Sequence, residues 1–203
     1  MNRPAGLFGS RGNRFTPYQP AEKISFMLNL AIAAVPFLFA VLALYGALSD
    51  LAAFRIPNWV SYALVGLFAA YTFLIWLNTP FLPSLESRLP PVAFHIFIAL
   101  IVFVVTAIFW KLRFVGGGDV KYLTATSLWM GPSRFVIFVV LLTGLALAMV
   151  VVLKFVLYWN PYFQGTRLPV FVKRLFEKVK SNELPYGFPI GMAAVAMIPS
   201  LFG

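Results

Sequence analysis

Long apolar runs, broken by short stretches that hold nearly all the charge, glycine and proline, set the pattern of this chain. A membrane-spanning helix needs about 20 predominantly apolar residues. By that measure spans are predicted near Ile24–Leu48, Trp59–Leu77, Val92–Trp110, Val120–Met130, Phe135–Trp159 and Tyr186–Leu201. The expected fold is all-α, a polytopic integral membrane protein of about six transmembrane helices. Residues 1–23 read as a flexible basic tail, and 24–203 as one membrane-embedded domain. The first span is long and follows a charged tail, which suits a retained helix better than a cleaved signal peptide. Pro36 is expected to kink it.

The fourth run is too short to cross alone, since a helix rises about 1.5 Å per residue. It completes a crossing only if the preceding stretch Val115-Gly116-Gly117-Gly118 dips below the headgroups. Irregular backbone at that depth is tolerated only where protein or water satisfies it. All five tryptophans, Trp59, Trp76, Trp110, Trp129 and Trp159, fall at predicted span ends, where an apolar ring with one polar N–H prefers the headgroup level.

Composition supports the membrane reading. The chain is 61% hydrophobic and 11% charged, with a mean hydropathy of +0.88. Soluble domains carry about 25% charged residues. With 0 cysteines, disulfides, thiolate metal sites and a cysteine nucleophile are excluded. The net charge of +10 belongs to loops, where it sets topology and meets anionic lipid; no nucleic-acid partner is expected. Ten Lys and Arg fall on the side of the first, third and fifth connections and six on the other. The positive-inside rule then puts those connections in the cytoplasm and the amino terminus outside, although the basic tail argues the other way. Val170–Lys180 interleaves apolar and basic residues as an interfacial helix would; a solvated basic loop is the alternative.

The only aspartates are Asp50, after the first span, and Asp119, before the fourth. An odd-numbered span ends, and an even-numbered one begins, on the same face, so both share a membrane side in either orientation. Asp119 alone could be a helix N-cap. Asp50 is harder to dismiss, because a carboxylate at a helix carboxyl end opposes the macrodipole. Two carboxylates brought together in a low dielectric do not both ionise, and such a pair shares a proton. Aspartic peptide hydrolysis needs that pairing: the ionised member takes a proton from water, and its protonated partner hydrogen-bonds the scissile carbonyl. Glycines beside it would let a substrate backbone approach.

Asp50-Leu-Ala-Ala-Phe-Arg55-Ile56-Pro57-Asn58 and Gly116-Gly117-Gly118-Asp119-Val120-Lys121 resemble the two signature motifs of the type IV prepilin peptidases. Leu184-Pro185-Tyr186-Gly187-Phe188-Pro189-Ile190-Gly191 is similar to the segment that opens the family's last span. The resemblance implies a membrane aspartic peptidase that removes basic leaders from prepilins and pseudopilins at the cytoplasmic face of the inner membrane, without cofactor or metal. Its catalytic pair would be Asp50 and Asp119, and residues 24–203 its peptidase domain. Arg55, Pro57, Asn58, Gly116, Gly118 and Lys121 would be motif-supporting. Larger relatives carry a cysteine-containing region with N-methyltransferase activity; its absence here makes the chain look more like the short peptidases of tight-adherence (Flp) pili. Oligomeric state is not legible.

Each supporting residue also has a plain structural role. Arg55 could orient Asp50 or be a positive-inside loop residue; Asn58 could cap the second span. Lys121 could serve Asp119 or a substrate carbonyl, or simply mark the membrane edge. His95, near the outer end of the third span, reads as an interfacial histidine rather than a ligand or base. Glu22, Glu86, Glu177 and Glu183 read as solvated. Three other functions compete. A presenilin-like protease also uses Gly-x-Gly-Asp. A proton-coupled carrier would use the carboxylates as a relay, although no internal repeat supports it. A non-catalytic assembly subunit would leave the three motifs unexplained.

Overall fold

The computed structural model describes residues 20–78, 89–159 and 184–202. Helices α1 (Pro20–Ala53), α2 (Asn58–Asn78), α3 (Leu89–Lys111) and α4 (Gly117–Trp159) are followed by the shorter α5 (Gly187–Ala196) and α6 (Ile198–Phe202). Four helices, α1 to α4, are long and apolar enough to cross a membrane. The chain is an all-α polytopic membrane protein. The expected tail up to residue 19 and the expected interfacial helix Val170–Lys180 lie outside the described residues, as do Glu86, Glu177 and Glu183.

α1 turns one face inward: Val35, Phe39, Ala43, Ala47 and Asp50 are all buried, at the three- and four-residue spacing of one helix face. Ile24, Phe26, Leu30, Phe37 and Val41 point outward, as lipid-facing side chains would. The helix runs unbroken through Pro36. It also starts earlier than expected and continues past Asp50, which therefore sits inside the last turn rather than beyond it.

α4 contains the fourth and fifth predicted spans. Between them the helix is broken at Gly131, with φ 58° and ψ −179°, a backbone region open essentially to glycine alone. Pro132 follows, and has no N–H for the carbonyl of Leu128 that a continuous helix would pair with it. His95 on α3 fills the gap, its Nδ1 lying 2.8 Å from the Leu128 carbonyl oxygen. That contact requires Nδ1 to be the protonated ring nitrogen. The interfacial histidine expected from sequence is thus a specific helix terminator, packed beside Phe68.

Gly131→Ala is expected to lower the thermal midpoint in detergent. Backbone strain there costs about 1–3 kcal/mol, and the added Cβ would lie 2.5 Å from His95 Nε2. His95→Leu should do likewise, since a buried carbonyl left without its partner costs about 1–3 kcal/mol. Unchanged midpoints for both would show that this pair does not hold the break.

The limb of α4 before Gly131 is enclosed along most of its length. Tyr122, Ala125, Thr126, Ser127, Leu128, Trp129 and Met130 are all buried, with α2, α3 and α5 packed around α4. Enclosure explains how a limb too short to cross a bilayer alone is tolerated. Its hydroxyls turn back on the helix, Thr126 Oγ1 to the Tyr122 carbonyl at 3.0 Å and Ser127 Oγ to that of Thr124 at 2.9 Å. Trp129 overturns its expected interfacial role. It is buried, lies against Phe39, Phe68 and Tyr71, and its Nε1–H donates to the Leu64 carbonyl at 3.2 Å. Trp59, Trp76 and Trp110 remain exposed.

Candidate active site

Asp50 ends the buried face of α1 and is only 5% exposed. In an apolar surround a carboxylate needs donors, and α5 supplies one from the far end of the chain. The N–H of Gly187, first residue of α5, donates to Asp50 Oδ2 at 2.7 Å. A helix amino terminus has unpaired N–H groups and a positive dipole end, so the aspartate at the end of α1 is countered by the start of another helix. The unfavourable macrodipole position is resolved between helices.

Gly187 has to be glycine for this contact. A Cβ there would lie 2.9 Å from Asp50 Cβ and Cγ and 2.5 Å from Ile56 Cδ1. Ile56 is itself buried, and on its other side lies Gly118, whose Cβ would meet it at 3.7 Å. The Arg-Ile-Pro-Asn block is therefore a turn whose isoleucine is wedged between the third motif and the glycine run. Phe54, at φ 52°, ends α1, with its N–H donating to the Asp50 carbonyl at 2.7 Å. Ser49 Oγ donates to the Arg55 carbonyl at 2.9 Å.

Asp119 is half-buried and stands in the first turn of α4. It is not the N-cap, because the helix begins at Gly117; Gly116 precedes it. The carboxylate bends back towards Gly116, where a Cβ would lie 3.0 Å from Asp119 Oδ2. The expected irregular glycine stretch is thus partly helical, Gly117 and Gly118 being the first residues of α4. Gly118, the neighbour of Asp119, borders Ile56, which in turn borders Gly187 beside Asp50. Both aspartates stand at the end of the bundle where α5 starts and the α1–α2 turn closes.

The supporting residues divide. Lys121 Nζ donates to Asn58 Oδ1 at 3.2 Å, joining the first turn of α4 to the start of α2, so the Asn58 side chain serves a neighbouring helix. Arg55 is exposed, and among the described residues no ion pair joins it to Asp50. Pro57 is half-buried in the turn, where its carbonyl accepts from the Val60 N–H at 3.1 Å. Among the described residues no three of His, Asp and Glu form a metal-ligand set.

Sequence reading did not single out Gly187, Ile56 or Tyr122. Tyr122 is fully buried, and its hydroxyl donates to the Ala43 carbonyl at 2.6 Å. One signal was available: a phenol one turn after Asp119 in an apolar run must find an acceptor in the protein.

No curated protein and no solved structure matches the chain. A family model does: that of the type IV leader peptidase family matches residues 37–153, more than half of the sequence. The matched stretch contains both aspartates, the Arg-Ile-Pro-Asn turn and the glycine run, and stops short of Gly187. With those motifs gathered at one end of a membrane helix bundle, the chain belongs to the type IV leader peptidase family.

Proposed function

We propose that this peptidase is an aspartic endopeptidase, with Asp50 and Asp119 as its catalytic pair. It removes basic leaders from prepilins and pseudopilins at the cytoplasmic face of the inner membrane. The observation that carries the proposal is that buried Asp50, held by the Gly187 amide, and Gly118, the neighbour of Asp119, both lie beside Ile56, so two chain-distant aspartates stand at one end of the bundle. There the ionised carboxylate accepts a proton from water, and the oxygen so activated adds to the scissile carbonyl. The protonated partner donates a hydrogen bond to that carbonyl as negative charge develops on it. Collapse of the tetrahedral intermediate breaks the C–N bond, and the leaving amine takes up the proton. The pair ends with its starting proton count, one water having been consumed.

Membrane lipid surrounds the helices in this reading, and the basic connections face the cytoplasm. With 0 cysteines in the sequence, the protein is placed by this reading with the peptidases of tight-adherence (Flp) pili. Co-expression with prepilins encoded near it tests the proposal. The expected result is a fall in pilin mass equal to the leader; unprocessed mass for every candidate would overturn it.

A further inference from the structure

We infer that Tyr122 is a positioning residue that sets the separation of the two aspartates, by tying α1 to α4 behind them. The inference rests on the reading of Asp50 and Asp119 as the catalytic pair. Each aspartate rides on its own helix, and both helices pack against α5. Phe39 and Trp129 also join α1 to α4 further from the site, and near the aspartates the tie is the tyrosine. Tyr122 follows Asp119 by one turn of α4, while Ala43 precedes Asp50 by two turns of α1, so each pair shares a helix face. The hydroxyl spans from one helix to the other, donating to the Ala43 carbonyl at 2.6 Å.

Room for this bridge is cut into two neighbouring helices. At Gly46 on α1 a Cβ would lie 2.8 Å from Tyr122 ring atoms. At Gly191 on α5 it would lie 2.6 Å from both the Tyr122 hydroxyl and the Ala43 carbonyl oxygen. Both Tyr122 and Ala43 are 0% exposed, so no lipid headgroup or bulk water competes for the hydroxyl. A phenylalanine would fill the same volume; the hydroxyl adds a directional bond that registers α1 against α4 at this level. Proton transfer to and from water depends steeply on that register, because a misplacement of about 1 Å costs about 10²-fold in rate.

Tyr122→Phe keeps the ring and removes the bridge. The expected result is a fall in kcat of about tenfold with KM unchanged, and a pH–kcat profile whose two limbs move relative to each other as the carboxylate spacing relaxes. A purely structural tyrosine would lower the folded yield and leave kcat per folded molecule and the pH profile as they were. Gly46→Ala pushes on the ring. The double variant Gly46→Ala/Tyr122→Leu restores the space without the hydroxyl, and is expected to fold and to cleave as slowly as Tyr122→Phe. Wild-type kcat in either Tyr122→Phe or the double variant overturns the inference. Cleavage by Asp50→Asn or Asp119→Asn would instead overturn the catalytic reading beneath it, so the two failures are distinguishable.

Discussion

Asp50→Asn and Asp119→Asn are each expected to abolish leader removal, with a loss of at least about 10³-fold, while the protein inserts and remains folded. Asparagine preserves the size of either side chain. At position 50 its amide oxygen can still accept from the Gly187 N–H, which lies 2.7 Å from Asp50 Oδ2, so the junction of α1 and α5 has no reason to come apart. Chemistry is lost outright: an amide neither accepts a proton from water at neutral pH nor donates as a carboxylic acid does. Quantifying precursor and mature pilin by mass in cells carrying each variant, with the amount of membrane-inserted enzyme measured alongside, provides the check. Near wild-type processing by either variant would remove that aspartate from the mechanism. Because a pair of this kind acts as a unit, the double variant is expected to be no worse than the single ones.

The second large effect is expected from a single methyl group. Gly187→Ala introduces a Cβ 2.9 Å from Asp50 Cβ and Cγ and 2.5 Å from Ile56 Cδ1. The isoleucine tip can swing away. The aspartate cannot, since its backbone is fixed in the last turn of α1 and its carboxylate is the group the Gly187 amide holds. Relief has to come from moving the carboxylate or the start of α5, and a shift of about 1 Å is worth about 10²-fold in rate. Gly187→Ala should therefore cut kcat by about that factor. Adding Ile56→Val separates the causes. The double variant Ile56→Val/Gly187→Ala is expected to stay slow if the displaced carboxylate matters, and to recover if only the isoleucine contact did. Recovery, or wild-type activity in Gly187→Ala alone, would show that α5 does not hold Asp50 in its working position.

Much of this protein is legible along the chain. Stretches of apolar residues mark α1, α2 and α3 to within a few residues, because the length a bilayer demands is a property of consecutive residues. The split of α4 was visible as two separate apolar runs around Gly131 and Pro132. The site motifs were legible because they are short and contiguous, and counting crossings alone brings Asp50 and Asp119 to one membrane face.

Orientation about each helix axis was not legible, and the finer features depend on it. In a water-soluble helix the buried face announces itself by contrast with a polar one. Here both faces of α1 are apolar, so nothing in the order of residues says that Phe39 is enclosed while Phe37 is exposed. Trp129 suffers the same ambiguity: its place at the end of an apolar run suits a headgroup belt, yet packing puts it among Phe39, Phe68 and Tyr71.

Local sequence thus settles roughly where α1, α2 and α3 begin and end and that two carboxylates share a membrane side, whereas the single span expected over Tyr186–Leu201 is two short helices, α5 and α6. Contacts between remote segments settle the rest: the Gly187 amide meets an aspartate 137 residues away, and His95 completes a helix end 33 residues on. Hydrogen-bonding groups in an apolar medium must be satisfied wherever the fold allows, and the partner that satisfies them is chosen by assembly in three dimensions rather than by neighbours in the chain.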